Sequence, residues 1–585
     1  MRDLAYLKLL SREYPNIRAA ASDIINLQAI CGLPKGTEYF FSDLHGEHEA
    51  FIYLLRSSSG IIREKIRETF GHIISEEDEV RLANLIYYPE KMINQIKQAN
   101  EYTEDWQKTA VYRLVQICRE VSSKYTRSKV RKKMPKEFSG VIDELLYVDN
   151  TDDNKTEYYS ELINTLIDVR VADSFIVVIC SLIRSLTIDN LHILGDIFDR
   201  GPRPDIILEE LMHFHDVDIQ WGNHDISWMG AATGNRACIC NVLRMALGYN
   251  GFDVLEDGYG INLRPLSMFA ERVYRDDPCT CFLPQILDKN IYDAVDPKLA
   301  AKMHKAIAVL QYKEEGQIIK RHPEYGMEER ILLSAIRYDR GTVTIDGKEY
   351  PMRDMNFPTV DPADPLRLTD EEEELLHTLE LSFRHNARLH EHVRFLYSNG
   401  SMYKCCNSNL LYHGCIPMTE NREFDGLMVG GKMYRGKELM DFIDTQVKNA
   451  YFLPEDAPEK EACRDFMWYL WNGAKSPVFG KDKNRSFEHY FIEDPEVMRE
   501  TMNPYYQLSE EEETCDMILK EFGLPTKGSH IINGHMPVKI KSGETPIRAG
   551  GKLFIIDGGL SKAYQERTGI AGYTLIFNSH HLALA

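Results

Sequence analysis

No apolar run in the sequence approaches the roughly 20 residues that a membrane-spanning helix needs. The longest candidate, ADSFIVVICSLI from Ala172 to Ile183, has the length of a buried strand or helix. The N-terminal MRDLAYLKLLSREYP is broken by Arg2, Asp3 and Lys8, so it lacks the continuous apolar region of a secretory signal and reads as a retained amphipathic helix. Positive charge is short: 69 Lys and Arg against 90 Asp and Glu leave a net charge of -21, which argues against a nucleic-acid partner. Cysteine is sparse for the length, 12 in 585 residues, and no paired CxxC occurs. Cys238 and Cys240, Cys279 and Cys281, and Cys405 and Cys406 are close neighbours without zinc-knuckle spacing. Others, such as Cys118 and Cys180, sit in apolar runs, as expected of free thiols in a reducing cytoplasm. Internal repeats and low-complexity tracts are also absent.

The remaining composition is that of a globular protein, 43% hydrophobic and 27% charged. At this length one simple core is not expected, and large insertions or a second domain are. One basic stretch stands against the acidic background. Lys124, Arg127, Lys129, Arg131, Lys132, Lys133 and Lys136 fall within thirteen residues and read first as a face balancing acidic neighbours, second as an anionic-effector or subunit-contact site.

Five short fragments carry the chemistry: FSDLHGE (41–47), LGDIFDRGPRPD (194–205), WGNHD (221–225), YHGC (412–415) and INGH (532–535). Each follows an apolar, strand-like run: TEYFF, LHIL, VDIQW, NLLY and HIIN. LFII (553–556) and YTLIF (573–577) add two more such runs. Side chains that leave strand ends for loops can converge on a shared site. Between the runs lie a helical pattern from about 60 to 170, a mixed segment from about 236 to 400, and a third from about 425 to 525. The second contains TVTIDGKEY, expected as a hairpin turning at Asp346-Gly347, and a helix capped by Thr369 with Glu372. Ser509 with Glu512 suggests a similar cap in the third.

A lone Asp-x-His or Gly-His is more often an ordinary loop than a ligand set. All five fragments together, each after an apolar run, read as a two-metal phosphoesterase. Two divalent ions need a bridging ligand, and Asp196 at a strand end suits that role. Asp43 and His45 then serve the first ion with Asp196, while Asn223, His413 and His535 complete the second. Mixed nitrogen and oxygen ligands suit Mn²⁺, Fe or Zn²⁺ better than Mg²⁺. Arg200 can hold two phosphoryl oxygens, and His224, held by Asp199, can protonate the leaving oxygen while hydroxide between the ions attacks phosphorus.

These residues resemble the metallophosphatase superfamily, in the branch of serine/threonine protein phosphatases and diadenosine tetraphosphatases. Asp225 replaces the glutamate that the protein phosphatases carry after GNH, Cys415 replaces a glycine, and their late tyrosine-bearing loop has no evident counterpart in GGLSKAY. Across essentially the whole chain the closer resemblance is to class 3 fructose-1,6-bisphosphatases of bacteria. It is carried by INLQAICGLPKGTEYFFSDLHGEHEAF, LIYYPE, SSKYTRSKVRK, VDIQWGNHDISWMGAA, LEDGYGINLRPL and SPVFGKDKNRSFEHYF. The resemblance implies hydrolysis of the 1-phosphate of fructose 1,6-bisphosphate to fructose 6-phosphate in gluconeogenesis, with two divalent ions, Mn²⁺ being usual. It also implies an α/β fold with a calcineurin-like metallophosphatase core, a β-sandwich flanked by helices, carrying large, mainly helical insertions. The expected core is discontinuous, 36–60, 170–235, 400–425 and 525–585, with a helical insertion at 60–170, a mixed one at 236–400 and a helical and loop one at 425–525.

A sugar bisphosphate has a second anionic end that needs donors away from the metals. Lys475 and Lys481, in the 471–485 loop that also holds Lys483, lead, and Lys539, Lys541, Arg548 and Lys552 follow. A phosphoprotein phosphatase or dinucleoside polyphosphate hydrolase could use the same machinery but needs an open groove or base-stacking pocket. A regulatory scaffold without catalysis is disfavoured by the complete ligand set. The expected partner is a small sugar bisphosphate, with no nucleic acid and no membrane, and assembly into a homo-oligomer stays open.

Overall fold

The computed structural model describes residues 2–147, 153–286, 296–562, 565, 572–579 and 582–585. Ala563 and Tyr564 of GGLSKAY lie outside the described residues. The chain is mixed α/β, and its contacts divide it into two compact units. One comprises residues 1–39, 53–191 and 576–585; the other comprises residues 40–52 and 192–575. No helix among the described residues is long and apolar enough to cross a membrane.

The first unit is helical. Glu104–Ser122 and Ala172–Thr187 place Val111, Leu114, Val115 and Cys118 with Phe175, Ile176, Ile179, Cys180 and Ile183 in one core, so the ADSFIVVICSLI run is a buried helix. Burial pushes both thiols up, Cys180 to about 12, and they pack as small hydrophobes. Ser75 and Thr103 cap their helices by accepting from Asp78 N and Trp106 N. Three of the seven basic residues of the 124–136 stretch pair with acids within this unit. Lys129 and Lys133 both reach Asp189 (2.6 and 3.0 Å), Arg131 pairs with Asp143 (2.6 Å), and Arg127 lies over the Tyr147 ring at 4.1 Å. Lys129, Arg131 and Lys133 thus balance acidic neighbours, as the first reading expects.

The second unit holds β1 (Glu38–Phe41, from Phe40), β2 (Asn190–Ile193, from His192), β3 (Val217–Gln220), β4 (Gly400–Ser401), β5 (Tyr403–Cys406), β6 (Asn409–Tyr412), β7 (His530–Asn533), β8 (Ile547–Arg548) and β9 (Leu553–Ile555), of which β1, β2, β3, β6 and β7 lead into the five fragments. β1, β2, β3 and β4 are neighbours in that order, with Ile219 opposite Gly400 in a parallel pairing. A second, mixed sheet runs β8-β9-β7-β6-β5; β7 is parallel to both β9 and β6, and the edges β8 and β5 are antiparallel. Near-continuous burial of β1, β3 and β6 explains why they read as apolar runs without alternation.

The hairpin at Thr342–Pro351 turns at Asp346 and Gly347, both with positive φ as a type I′ turn requires, and Thr369 with Glu372 forms a full capping box. Ser509 does not cap a helix. A short helix, Tyr505–Leu508, ends on it in αR conformation, so the next helix starts at Glu512 after an extended Glu511. An N-cap needs the extended backbone that Ser509 cannot adopt while terminating a helix.

The long helix Pro297–Arg321 is buried along most of its length despite its charges. Lys305 sits between Asp277 and Asp354 (2.6 Å each), and Lys313 meets Glu372 at 2.7 Å. His304 in the same helix faces Phe282 O and Tyr490 Oη at 2.9 Å each, and burial lowers its pKa to about 3. Unfolded His304 takes a proton as pH falls below about 6.5 while the folded residue does not, so stability drains at about 1.4 kcal/mol per pH unit between about 6.5 and 3. His304→Gln removes that drain. The melting temperatures of parent and variant should therefore converge between pH 7 and pH 4. A constant gap would show that the folded core accepts the proton.

Candidate metal centre

Two loops define the site backbone. Phe41 O, Asp43 N, His45 N and Gly46 N bond in turn to Leu194 N, Gly195 O, Asp196 O and Ile197 O at 2.8–3.0 Å, so the first two fragments extend β1 and β2 as one ladder. Gly195 (φ +80) permits this turn, since a Cβ there would lie 2.5 Å from Gly222 N and 2.7 Å from His413 Nδ1. Asp43, His45, Asp196, Asp199, Arg200 and His535 all have positive φ. Such backbone is rare for non-glycine residues and persists where surrounding structure holds it.

All nine residues expected at the metals and the reacting phosphate come together in this unit. Two groups of potential ligands form, His45 with Asp196 and His224, and Asp196 with His413 and His535; within each the ligand atoms lie within 4.8 Å of one another. Asp196 belongs to both. Asp43 Oδ1 lies 4.0 Å from His45 Nε2, which is also 4.0 Å from Asp196 Oδ2. Asp196 Oδ2 is 3.4 Å from His413 Nε2, and its Oδ1 accepts from His224 N at 3.0 Å.

Each imidazole is aimed by its second nitrogen. His45 Nδ1 faces Phe198 O (3.0 Å), His413 Nδ1 faces Leu194 O (2.6 Å), and His535 Nε2 faces Phe479 O (3.1 Å). A carbonyl fixes the proton on the nitrogen it meets and leaves the other lone pair for a ligand. His413 Nε2 and His535 Nδ1 are thus turned toward each other at 3.1 Å, an arrangement that calls for a proton or cation between them. Asn223 Oδ1 is buried without a hydrogen-bond partner. These features fit divalent metal. Arg200 Nη1 lies 2.7 Å from His45 Nε2, so an ion that uses this lone pair requires the guanidinium to turn aside.

The electrostatics point the same way. Burial pushes Asp43 up to about 6, with the Asp196 charge adding to it. Burial works against ionised Asp196 too, yet His413 and His224 hold its carboxyl well below the usual range. His413 is raised to about 10, because the Asp196 carboxylate outweighs desolvation. Burial and the charge of His413 lower His535 to about 3. Buried negative charge here demands a positive neighbour.

His224 Nδ1 meets Asp199 Oδ2 at 2.6 Å, and Asp199 Oδ1 accepts from Trp228 Nε1 at 2.8 Å. His224 Nε2 then faces Arg200 Nη2 at 3.3 Å. The lysines do not join this cluster as free cations. Lys475 pairs with Asp425, and Lys481 with Glu500 at 2.6 Å, though Lys481 lies near enough for its charge to depress His535. Lys483 pairs with Asp346, Arg548 with Glu510 and Lys552 with Asp516.

Sequence reasoning noted Asp225 only as a departure from a glutamate. Its carboxylate, fully buried, accepts from Asp196 N (2.8 Å), Ile197 N (2.9 Å) and Gly222 N (3.0 Å), tying the 194–197 loop to the GNHD turn. Burial and the nearby Asp196 charge raise it to about 6. Trp228 and the buried Asp557, its carboxyl raised by burial and by Asp43, were missed as well. Trp228 and Asp225 lie within the WGNHDISW run, but nothing in a single sequence marks which of its side chains turns inward.

The family described as Firmicute fructose-1,6-bisphosphatase matches residues 5–585. The chain belongs to this family. It is 52% identical to the class 3 fructose-1,6-bisphosphatases of Clostridium tetani and of Bacteroides fragilis, over all of this chain and 88% of each relative. Identity to the class 3 fructose-1,6-bisphosphatase of Clostridium novyi is 51% over the same shares. No solved structure matches the chain.

Removing the Asp225 carboxylate orphans three buried N–H groups, each worth about 1–3 kcal/mol. Asp225→Ala should lower the melting temperature and reduce metal uptake, with Asp225→Asn in between because one acceptor oxygen remains. Melting curves and elemental analysis read both effects. Parent-like values for Asp225→Ala would show that the 194–197 loop is held by its ladder alone.

Proposed function

We infer that the chain hydrolyses fructose 1,6-bisphosphate to fructose 6-phosphate and phosphate, the reaction of its family and a step of gluconeogenesis. The presence of Asp196 in two groups of potential ligands carries the mechanistic reading, with Asp43 beside His45 taken as the further ligand and His224 as the proton donor. We propose Asp43, His45 and Asp196 as holders of one divalent ion and Asp196, Asn223, His413 and His535 as holders of a second, Mn²⁺ being suited to this nitrogen and oxygen set. Bound there, such ions supply Lewis acidity toward phosphoryl oxygens and lower the pKa of water.

The chain's own side chains do the rest. Arg200 places two N–H donors on one phosphoryl group, orienting it and offsetting charge that builds in the transition state. His224 holds a proton at Nε2 for the departing sugar oxygen, while Asp199 accepts from Nδ1 and keeps the ring aimed. Trp228 fixes Asp199 in turn. The orphaned Oδ1 of Asn223 and the fixed tautomers of three histidines support the ligand assignment. Both lysines pair with acids, Lys481 with Glu500 and Lys475 with Asp425, and Lys481 is preferred as the anchor for the distal phosphate because its charge reaches His535. We further propose that the two sheets form the sandwich of a calcineurin-like core, discontinuous over 36–60, 170–235, 400–425 and 525–585, in a cytoplasmic enzyme.

A panel of phosphate esters with Mn²⁺ tests the substrate. By kcat/KM, fructose 1,6-bisphosphate should exceed fructose 6-phosphate, phosphopeptides and dinucleoside polyphosphates, because a second anchored phosphate positions the first. A preference for phosphopeptides would overturn the reading. Asp196→Asn should abolish turnover and lose both ions by elemental analysis, since one carboxylate serves two coordination spheres; two retained ions would remove Asp196 from the bridging position.

His224→Ala should keep its metal and lower kcat by roughly 10²–10⁴. An aryl phosphate with a good leaving group needs little protonation and should lose less. Equal losses on both substrates would make His224 a phosphate binder.

A further inference from the structure

The buried indoles of the second unit differ in one respect. Trp221 donates to Leu396 O at 3.0 Å, Trp228 to Asp199 at 2.8 Å and Trp468 to Glu315 at 3.1 Å. Trp471, 6% exposed, has a buried Nε1 with no hydrogen-bond partner. A buried indole N–H usually finds an acceptor, and leaving one unmet destabilises the free protein. The position of this orphan is specific. Trp471, near the end of the helix Lys460–Asn472, packs edge-on against the His224 ring, with centroids 4.9 Å apart and planes at 85°. His224 Nε2 in turn lies 3.3 Å from Arg200 Nη2.

We propose that Trp471 is a substrate-binding residue whose indole N–H donates to an oxygen of the phosphoryl group handled by Arg200 and His224. This rests on the phosphatase reading above and adds to it a third donor of different character. Arg200 brings charge and His224 a transferable proton; an indole brings a donor that neither titrates near neutrality nor accepts. A phosphate monoester is a dianion whose three terminal oxygens can accept from both Arg200 and the indole, while His224 faces the ester oxygen that departs.

Trp471→Phe keeps the ring against His224 and removes the donor. The melting temperature of the ligand-free variant should be no lower than that of the parent, because an unmet donor has been deleted. KM for fructose 1,6-bisphosphate and the inhibition constant for inorganic phosphate should both rise by about 10-fold or more, as for loss of a hydrogen bond to a charged group. The pH limbs of kcat should stay in place. In ¹⁵N-labelled parent protein, the indole resonance that is missing from Trp471→Phe should shift on titration with inorganic phosphate.

A fall in melting temperature with parent-like KM and phosphate inhibition would make Trp471 a packing residue and overturn the proposal. So would a displaced pH limb with unchanged KM, which would place the N–H on the imidazole face and make the indole a tuner of His224. An indole resonance indifferent to phosphate would overturn it as well. Failure of the parent to hydrolyse fructose 1,6-bisphosphate would strike the phosphatase reading, while the phosphate titration would still report on the indole.

Discussion

Asp196 carries its charge where bulk water does not reach, and the rest of the site is arranged around that fact. An ionised carboxylate this deep survives only with positive charge and hydrogen-bond donors in contact. His413 and the backbone N–H of His224 meet it directly. Asp43, Asp225 and Asp557 crowd the same region, and their carboxyls are raised by burial and by the Asp196 charge. Histidines and Arg200 offset part of this excess. Divalent cations would offset the remainder, which is why a set of residues that looks poorly matched by itself is well matched as a metal cradle.

Holding that cradle in shape is the work of backbone more than of side chains. The ladder from Phe41 to Ile197, the three N–H groups gathered by Asp225, and a row of left-handed residues at the loop turns fix the positions of the candidate ligands. Each imidazole has one nitrogen committed to a carbonyl or carboxylate, so little rotational freedom is left to lose when a ligand binds. The proposed catalytic pair follows the same pattern: Trp228 holds Asp199, Asp199 holds His224, and Trp471 packs against the His224 ring.

Much of this was legible beforehand, and for identifiable reasons. The strands before Asp43, Asp196, Asn223, His413 and His535 lie where the apolar runs place them, since a strand buried on both faces must be apolar throughout. Asp346-Gly347 and the Thr369 capping box are local devices, complete within a few residues. Ser509 misled because the same residue ends one helix before the next begins, and propensity does not rank two adjacent claims on one backbone.

The sequence by itself determined which residue types could bind metal and phosphate, the strand ends from which they project, and the family they belong to. Those properties are encoded in short contiguous runs. What the lysines do was decided only by tertiary structure, because Lys475, Lys481 and Lys483 each find a carboxylate 19 to 137 residues away in the chain. The same holds for Pro297–Arg321, whose charges suggest a solvated helix until Lys305 and Lys313 meet distant acids in the interior. It holds too for Asp225 and Trp471: hydrogen bonding is directional and short-ranged, so three N–H groups meeting one carboxylate, or an indole left with none, exist only once the loops are packed.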